Sequence, residues 1–164
     1  MSKVAIVTDS TAYLPEDMVA TYNITVVPLV VIWGTETLRD NIDIGPKEFY
    51  DRLAKAKIMP STSQATIKSF ADVYEKLHAE GYEILVLALS AALSGTMDSA
   101  IQAKSMVPDA VVEILDSKTT SVPLAYMALA AARAAKRGAS LTECRQIAEE
   151  IRDHAQVFFA VDTL

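Results

Sequence analysis

Cysteine is almost absent from this 164-residue chain: Cys144 stands alone, so an internal disulfide framework and a cysteine-rich metal site are both excluded. Glycine is nearly as scarce. The five glycines fall in neither GxxxxGK[ST] nor GxGxxG spacing, which removes the two common phosphate-cradling loops. Long apolar runs are missing as well, since no stretch reaches the eighteen residues that a spanning helix needs. The first residues enter an alternating apolar run with no secretory h-region before it. Basic residues are in deficit, fifteen against twenty-one acidic, giving a formal charge of -6 at pH 7. That balance disfavours nucleic acid and anionic membrane as partners. The plain expectation is a cytoplasmic protein with no spanning membrane contact.

What remains is ample core material, with 51% of residues apolar, enough for one substantial domain. Three short apolar runs stop at a hydroxyl or carboxylate: Val4 to Val7 before Thr8-Asp9-Ser10-Thr11, Ile84 to Leu89 before Ser90, and Val111 to Leu115 before Asp116-Ser117. Nearly continuous Val, Ile and Leu point to strands covered on both faces. Segments of helical period lie between them: Ile67, Phe70, Ala71, Tyr74 and Leu77, closing near Gly81; Phe49, Tyr50, Leu53 and Ala54, introduced by Pro46; an alanine-rich stretch from Val122 to Ala135, apolar almost all round; and Leu141, Cys144, Ile147, Ala148 and Ile151, opened by a Ser140/Glu143 capping box.

Alternating strands and helices at this spacing need crossovers, so the expected fold is α/β, a mostly parallel sheet with helices on both faces. Thr25 to Trp33 and Thr37 to Ile44 break the rhythm and read as a hairpin or flap insertion, with Pro28 arguing against a central strand. Residues 1–155 are expected to form the α/β domain. Residues 156–164, with the apolar run Val157 to Val161, are expected to be a strand leading into a further domain outside this chain.

Two hydroxyl clusters carry the candidate chemistry. Ser61-Thr62-Ser63-Gln64-Ala65-Thr66 precedes the Ile67 helix, and Ser90-Ala91-Ala92-Leu93-Ser94-Gly95-Thr96 follows the strongest strand. Each reads either as loop and cap or as an anion site, because free amides and the helix dipole favour negative charge there. Gly95 would let a ligand approach the backbone closely. Both clusters are expected on loops at the strand ends, where open α/β sheets collect ligands. Asp9, Ser10, Trp33, Ser90 and Asp116 are expected along the pocket edge. A hydrolase or phosphate-binding enzyme using the Ser94 loop is the alternative, and a structural interaction domain a third. Neither His78 nor His154 sits in a nucleophile motif, Ala92-Leu93-Ser94-Gly95 is not a GxSxG elbow, and Asp40-Asn41-Ile42-Asp43 lacks EF-hand spacing. No metal site, cofactor or independent catalytic set is expected.

Val7-Thr8-Asp9-Ser10-Thr11, Val27-Pro28-Leu29, Asp40-Asn41-Ile42-Asp43-Ile44, Pro60 through Gln64, Leu93-Ser94-Gly95-Thr96, Leu115-Asp116-Ser117 and Val161-Asp162-Thr163-Leu164 together resemble the N-terminal part of a DegV family protein. The resemblance implies a two-domain fatty-acid-binding protein whose lipid lies between the domains. It places the carboxylate on Thr62, Ser63 and Ser94, with Gly95 and Thr96 adding close approach and donor capacity. It further implies a long-chain fatty acid as ligand, a separate fatty acid kinase as partner in phospholipid metabolism, and continuation beyond Leu164 into a C-terminal domain. Ala65-Thr66 stands where the family often has Pro-Ser, and Ala91 where a second serine is common.

Overall fold

The computed structural model describes residues 3–158 and 160. Four parallel strands form the main sheet: β1 (Lys3–Asp9), β2 (Thr25–Val27), β6 (Tyr82–Ala88) and β7 (Val112–Asp116), in the order β2-β1-β6-β7. Val7 lies opposite Thr25 and Val86, and Val86 opposite Ile114, so the expected parallel pairing of the three apolar runs is what the chain adopts.

Alternate side chains of each strand feed opposite faces. Ile6, Leu85, Leu87 and Leu115 pack with Leu124, Met127, Ala131 and Cys144 on one side, under α5 (Ser121–Lys136) and α6 (Leu141–His154). Ala5, Val7, Ile84 and Val86 pack with Phe70, Tyr74 and Ala103 on the other, under α3 (Ile67–Ala79) and α4 (Thr96–Lys104). Alanines on α5 allow close seating against β1, yet this helix is not buried all round: Val122 and Tyr126 are 58% and 61% exposed. The Ser140/Glu143 capping box forms as expected.

From β1 the chain passes through a single 3-10 turn (Ser10–Ala12) and α1 (Glu16–Tyr22) to β2 on one side of the sheet. It later returns to β6 on the other side of β1. The crevice beyond the ends of β1 and β6 is therefore the topological switch point, the usual ligand position in open α/β sheets.

The expected insertion is present with different bounds. Thr25–Val27 does not join the hairpin but completes the edge of the main sheet, and the break comes at Pro28-Leu29, where proline removes a backbone donor. β3 (Val30–Trp33) then pairs antiparallel with β4 (Glu36–Arg39), around Gly34 at φ 64°. On its other side β3 pairs with β5 (Ser61–Ser63), making a second sheet of order β4-β3-β5. This small sheet is closed by α2 (Pro46–Leu53): Trp33 and Ile44 are buried against Phe49 and Leu53, the Trp33 and Phe49 rings meet edge-on at 5.5 Å, and the Arg52 guanidinium sits 4.3 Å from the Trp33 ring centroid. Beyond α6, residues 155–158 form no strand; the rest of the expected Val157 to Val161 strand lies outside the described residues apart from Ala160, which is in no strand either.

Candidate functional site

The polar ends of the strands first tie the loops together. Asp9 is fully buried; its Oδ2 accepts from the Leu89 N–H (2.7 Å), and its Oδ1 accepts from the Thr11 N–H (3.0 Å) and hydroxyl (2.6 Å). One carboxylate thus clamps the β1 and β6 ends to each other. Burial pushes its pKa above the usual carboxylate value, against the lowering effect of those hydrogen bonds. Ser10 Oγ accepts from the Leu29 N–H (3.0 Å), fixing the entry to the small sheet. Asp116 Oδ1 accepts from the N–H groups of Lys118 (2.8 Å) and Ala91 (3.3 Å), and Ser90 Oγ from Ala92 (3.3 Å). Asp9 and Asp116 end strands on opposite sides of β6, so they form no acid pair. No group of three or more His, Cys, Asp or Glu side chains suited to a metal ion occurs among the described residues.

Above this braced edge lies a cavity of about 530 Å³. Leu29, Val30 and Val31 line it from β3 and the segment before it, Leu89 and Leu93 from the β6–α4 loop, and Pro46, Phe49 and Tyr50 from α2. Thr62, Ser63 and Gln64 enter from the β5 side, Ser94 from the β6–α4 loop, and Thr11, Tyr13 and Asp40 complete the wall. Two hydroxyl clusters about thirty residues apart therefore meet on one cavity at the switch point. Tyr13 holds φ 48°, a left-handed conformation uncommon for a bulky residue, and also borders a neighbouring cavity of about 490 Å³ under α1.

The first cluster is not the loop that its composition suggests. Ser61–Ser63 is a strand, and only Thr66 acts as a cap, its Oγ1 accepting from the Ser69 N–H at 3.0 Å. In the second cluster Ser94 Oγ accepts from the Thr96 N–H (3.2 Å) and lies 3.0 Å from Thr96 Oγ1. Thr96 is fully buried, and its Oγ1 accepts from the Ala65 N–H (3.3 Å). With the Thr96 hydroxyl donating to Ser94, the Ser94 proton is left free for another acceptor. The group that approaches Gly95 is Gln64: a Cβ at position 95 would fall 2.1 Å from Gln64 Oε1, while Gln64 Nε2 donates to Ser99 Oγ (2.9 Å).

Thr62, Ser63 and Ser94 thus stand on the cavity wall, with Gly95 and Thr96 behind it. Asp9 and Ser10 border the neighbouring cavity under α1; Trp33, Ser90 and Asp116 border neither. Trp33 is turned into the small core, donating from Nε1 to the Ile58 carbonyl (2.9 Å). Sequence reasoning did not place Tyr13, Asp40 or Tyr50 on the cavity, having read Asp40 only against calcium-loop spacing and the family resemblance and Tyr50 only as part of a helical stripe. The Tyr13 and Asp40 pKa values are both raised, chiefly by burial. An acidic residue directly after the extended Thr37-Leu38-Arg39 segment, and an aromatic directly after the β1 turn, were the available signals.

The chain is thus a doubly wound α/β domain with a partly apolar, hydroxyl-walled cavity at its switch point. A profile described as "Uncharacterised protein, DegV family" matches residues 3–164, and the chain belongs to the DegV family. A DegV domain-containing protein of Listeria innocua is 39% identical over 165 residues, covering 100% of this chain and 59% of the relative. Protein DegV of Bacillus subtilis is 36% identical over 163 residues, covering 98% and 58%. Among solved structures, DegV of Bacillus subtilis, described as a fatty acid binding protein, superposes with a TM-score of 0.88 at 35% identity over 93% of this chain and 55% of that one. A stearic acid-binding protein from Eubacterium ventriosum gives 0.82 at 32% identity, covering 91% and 52%. The chain spans a little over half the length of these relatives.

Proposed function

We propose that this chain is the hydroxyl-bearing part of a fatty-acid-binding protein that presents its ligand to a separate fatty acid kinase. In this reading residues 1–155 are one domain and residues 156–164 lead into a second, which closes the cavity. The observation that carries it is the meeting of β5 and the β6–α4 loop on one cavity. Thr62, Ser63 and Ser94 would face the carboxylate, while Gly95 and Thr96 hold Ser94 in place.

A carboxylate leaves water only when its acceptors are satisfied, and neutral donors can do this without a buried cation. The tail would bind against the apolar lining, at roughly 0.8 kcal/mol per fully buried CH₂. Descriptions of the relatives as fatty-acid and stearic acid binders support the ligand class. The test is lipid affinity of Thr62→Ala and Ser94→Ala in the full-length protein. Each should lose about 1.5–3 kcal/mol of binding, as expected for a hydrogen bond to a charged group. Unchanged affinity in both single variants and the double variant, or a fatty alcohol binding as well as the acid, would refute the carboxylate clamp.

A further inference from the structure

Asp40 is the only Asp, Glu, Lys or Arg among the described residues lining the cavity. Its backbone N–H donates to the Leu29 carbonyl (2.9 Å), which fixes it beside the start of β3, directly after the last residue of β4. Val30 is flanked by Arg39 on one side and Ser63 on the other. The β4 end that carries Asp40 and the hydroxyl wall on β5 are therefore two strand spacings apart, roughly 9–10 Å, with apolar β3 between them. Burial raises the Asp40 pKa, against the lowering effect of the nearby Ser10 side chain and Asn41 backbone N–H. Arg39, next to it in sequence, is engaged by Asp43 at 2.8 Å. Besides burial, the Asp40 charge raises the pKa of Asp9, of the same sign, and of Tyr13.

We propose that Asp40 is a specificity-determining residue: it sets a negative charge across the cavity from the hydroxyl wall, so that an acid charged at one end is accepted and one charged at both ends is rejected. This rests on the fatty-acid reading above. A head group at Thr62, Ser63 and Ser94 finds donors. A second carboxylate towards Asp40 finds a like charge and, among the described residues lining the cavity, no cation, and discrimination by such an unmatched charge is stronger than an added apolar contact provides.

The test compares decanoic acid with decanedioic acid, whose extended length matches the separation of Asp40 from the hydroxyl wall, on the delipidated full-length protein, with the diacid's monomethyl ester as a third probe. The wild type should bind the monoacid at least tenfold more tightly than the diacid. The monomethyl ester, charged at one end only, should recover to within about threefold of the monoacid. Asp40→Asn and Asp40→Ser should each narrow the monoacid-to-diacid ratio at least fivefold, through tighter binding of the diacid. An ester as weak as the diacid in the wild type overturns the charge argument without any variant having to fold. Reduced monoacid affinity in Thr62→Ala with an unchanged ratio in both Asp40 variants overturns the role of Asp40 alone. Unaltered monoacid affinity in Thr62→Ala and Ser94→Ala overturns the fatty-acid reading together with this one.

Discussion

Gly95 is held to glycine by the end of the Gln64 side chain, which occupies the space a Cβ would need. Gly95→Ala should displace Gln64 and break its bond to Ser99, costing about 1 kcal/mol in thermal or denaturant unfolding. The Gly95→Ala/Gln64→Ala pair should be clearly non-additive, because both changes remove the same contact; additive losses would place the strain elsewhere. Thr62 and Ser63 differ in another way. Both border the cavity, yet as consecutive strand residues they alternate across the pleat of β5, so the alanine variants should weaken lipid binding unequally. Equal losses would mean that the strand twists enough to turn both inward. Composition marked these hydroxyls as donors, but it could not show that strand geometry makes them inequivalent.

At the scale of elements, the apolar runs of β1, β6 and β7, the stripes of α2, α3 and α6 and the alanine-rich length of α5 were legible because each spans several periods. β2 and β5 were not, being three residues each. Ser61-Thr62-Ser63 has no apolar residue to alternate, and its extended state comes from pairing with Val30 to Ile32, about thirty residues away. Thr66→Ala should cost about 1 kcal/mol through loss of the α3 cap, read as a lowered unfolding midpoint with β5-side binding intact. The link between β4 and α2 has its own pH signature. Arg39 hydrogen bonds, side-chain first and then backbone, hold the Asp43 pKa at about 2 against an ordinary 3.8. A depressed carboxyl contributes stability above 3.8, and that contribution is lost as pH falls towards 2. Asp43→Asn should therefore flatten the loss of stability between about pH 4 and 2. Asp9 and Asp40 act with the opposite sign: their raised values mean the folded state binds the proton more tightly, so their unfavourable contribution is relieved as pH falls through those values towards 3.8. An acid limb unchanged by Asp43→Asn would show that the ion pair is too exposed to matter.

For the whole molecule, the two faces of the main sheet make two cores, and the larger lies under α5 and α6. Leu124 and Met127 are fully buried there, and truncating either to alanine should cost about 2–5 kcal/mol, measured as a parallel fall in unfolding free energy by near- and far-ultraviolet signals. Loss of the near-ultraviolet signal alone would mean that side-chain packing fails while the secondary structure persists. The cavity was legible in outline because open α/β sheets gather ligands at the switch point. Its far wall was not, since the small sheet that supplies it assembles from segments whose pairing no local pattern records.

That same wall bears on the behaviour of the protein in concentrated solution. β5 is an edge strand, and an edge with free backbone donors and acceptors can recruit a strand from a neighbouring molecule. Here the edge is only three residues long and carries nothing but hydroxyl side chains. It offers a foreign strand too few ladder positions and no apolar face to stack on, so the residues proposed to face a polar head group also guard it against aggregation.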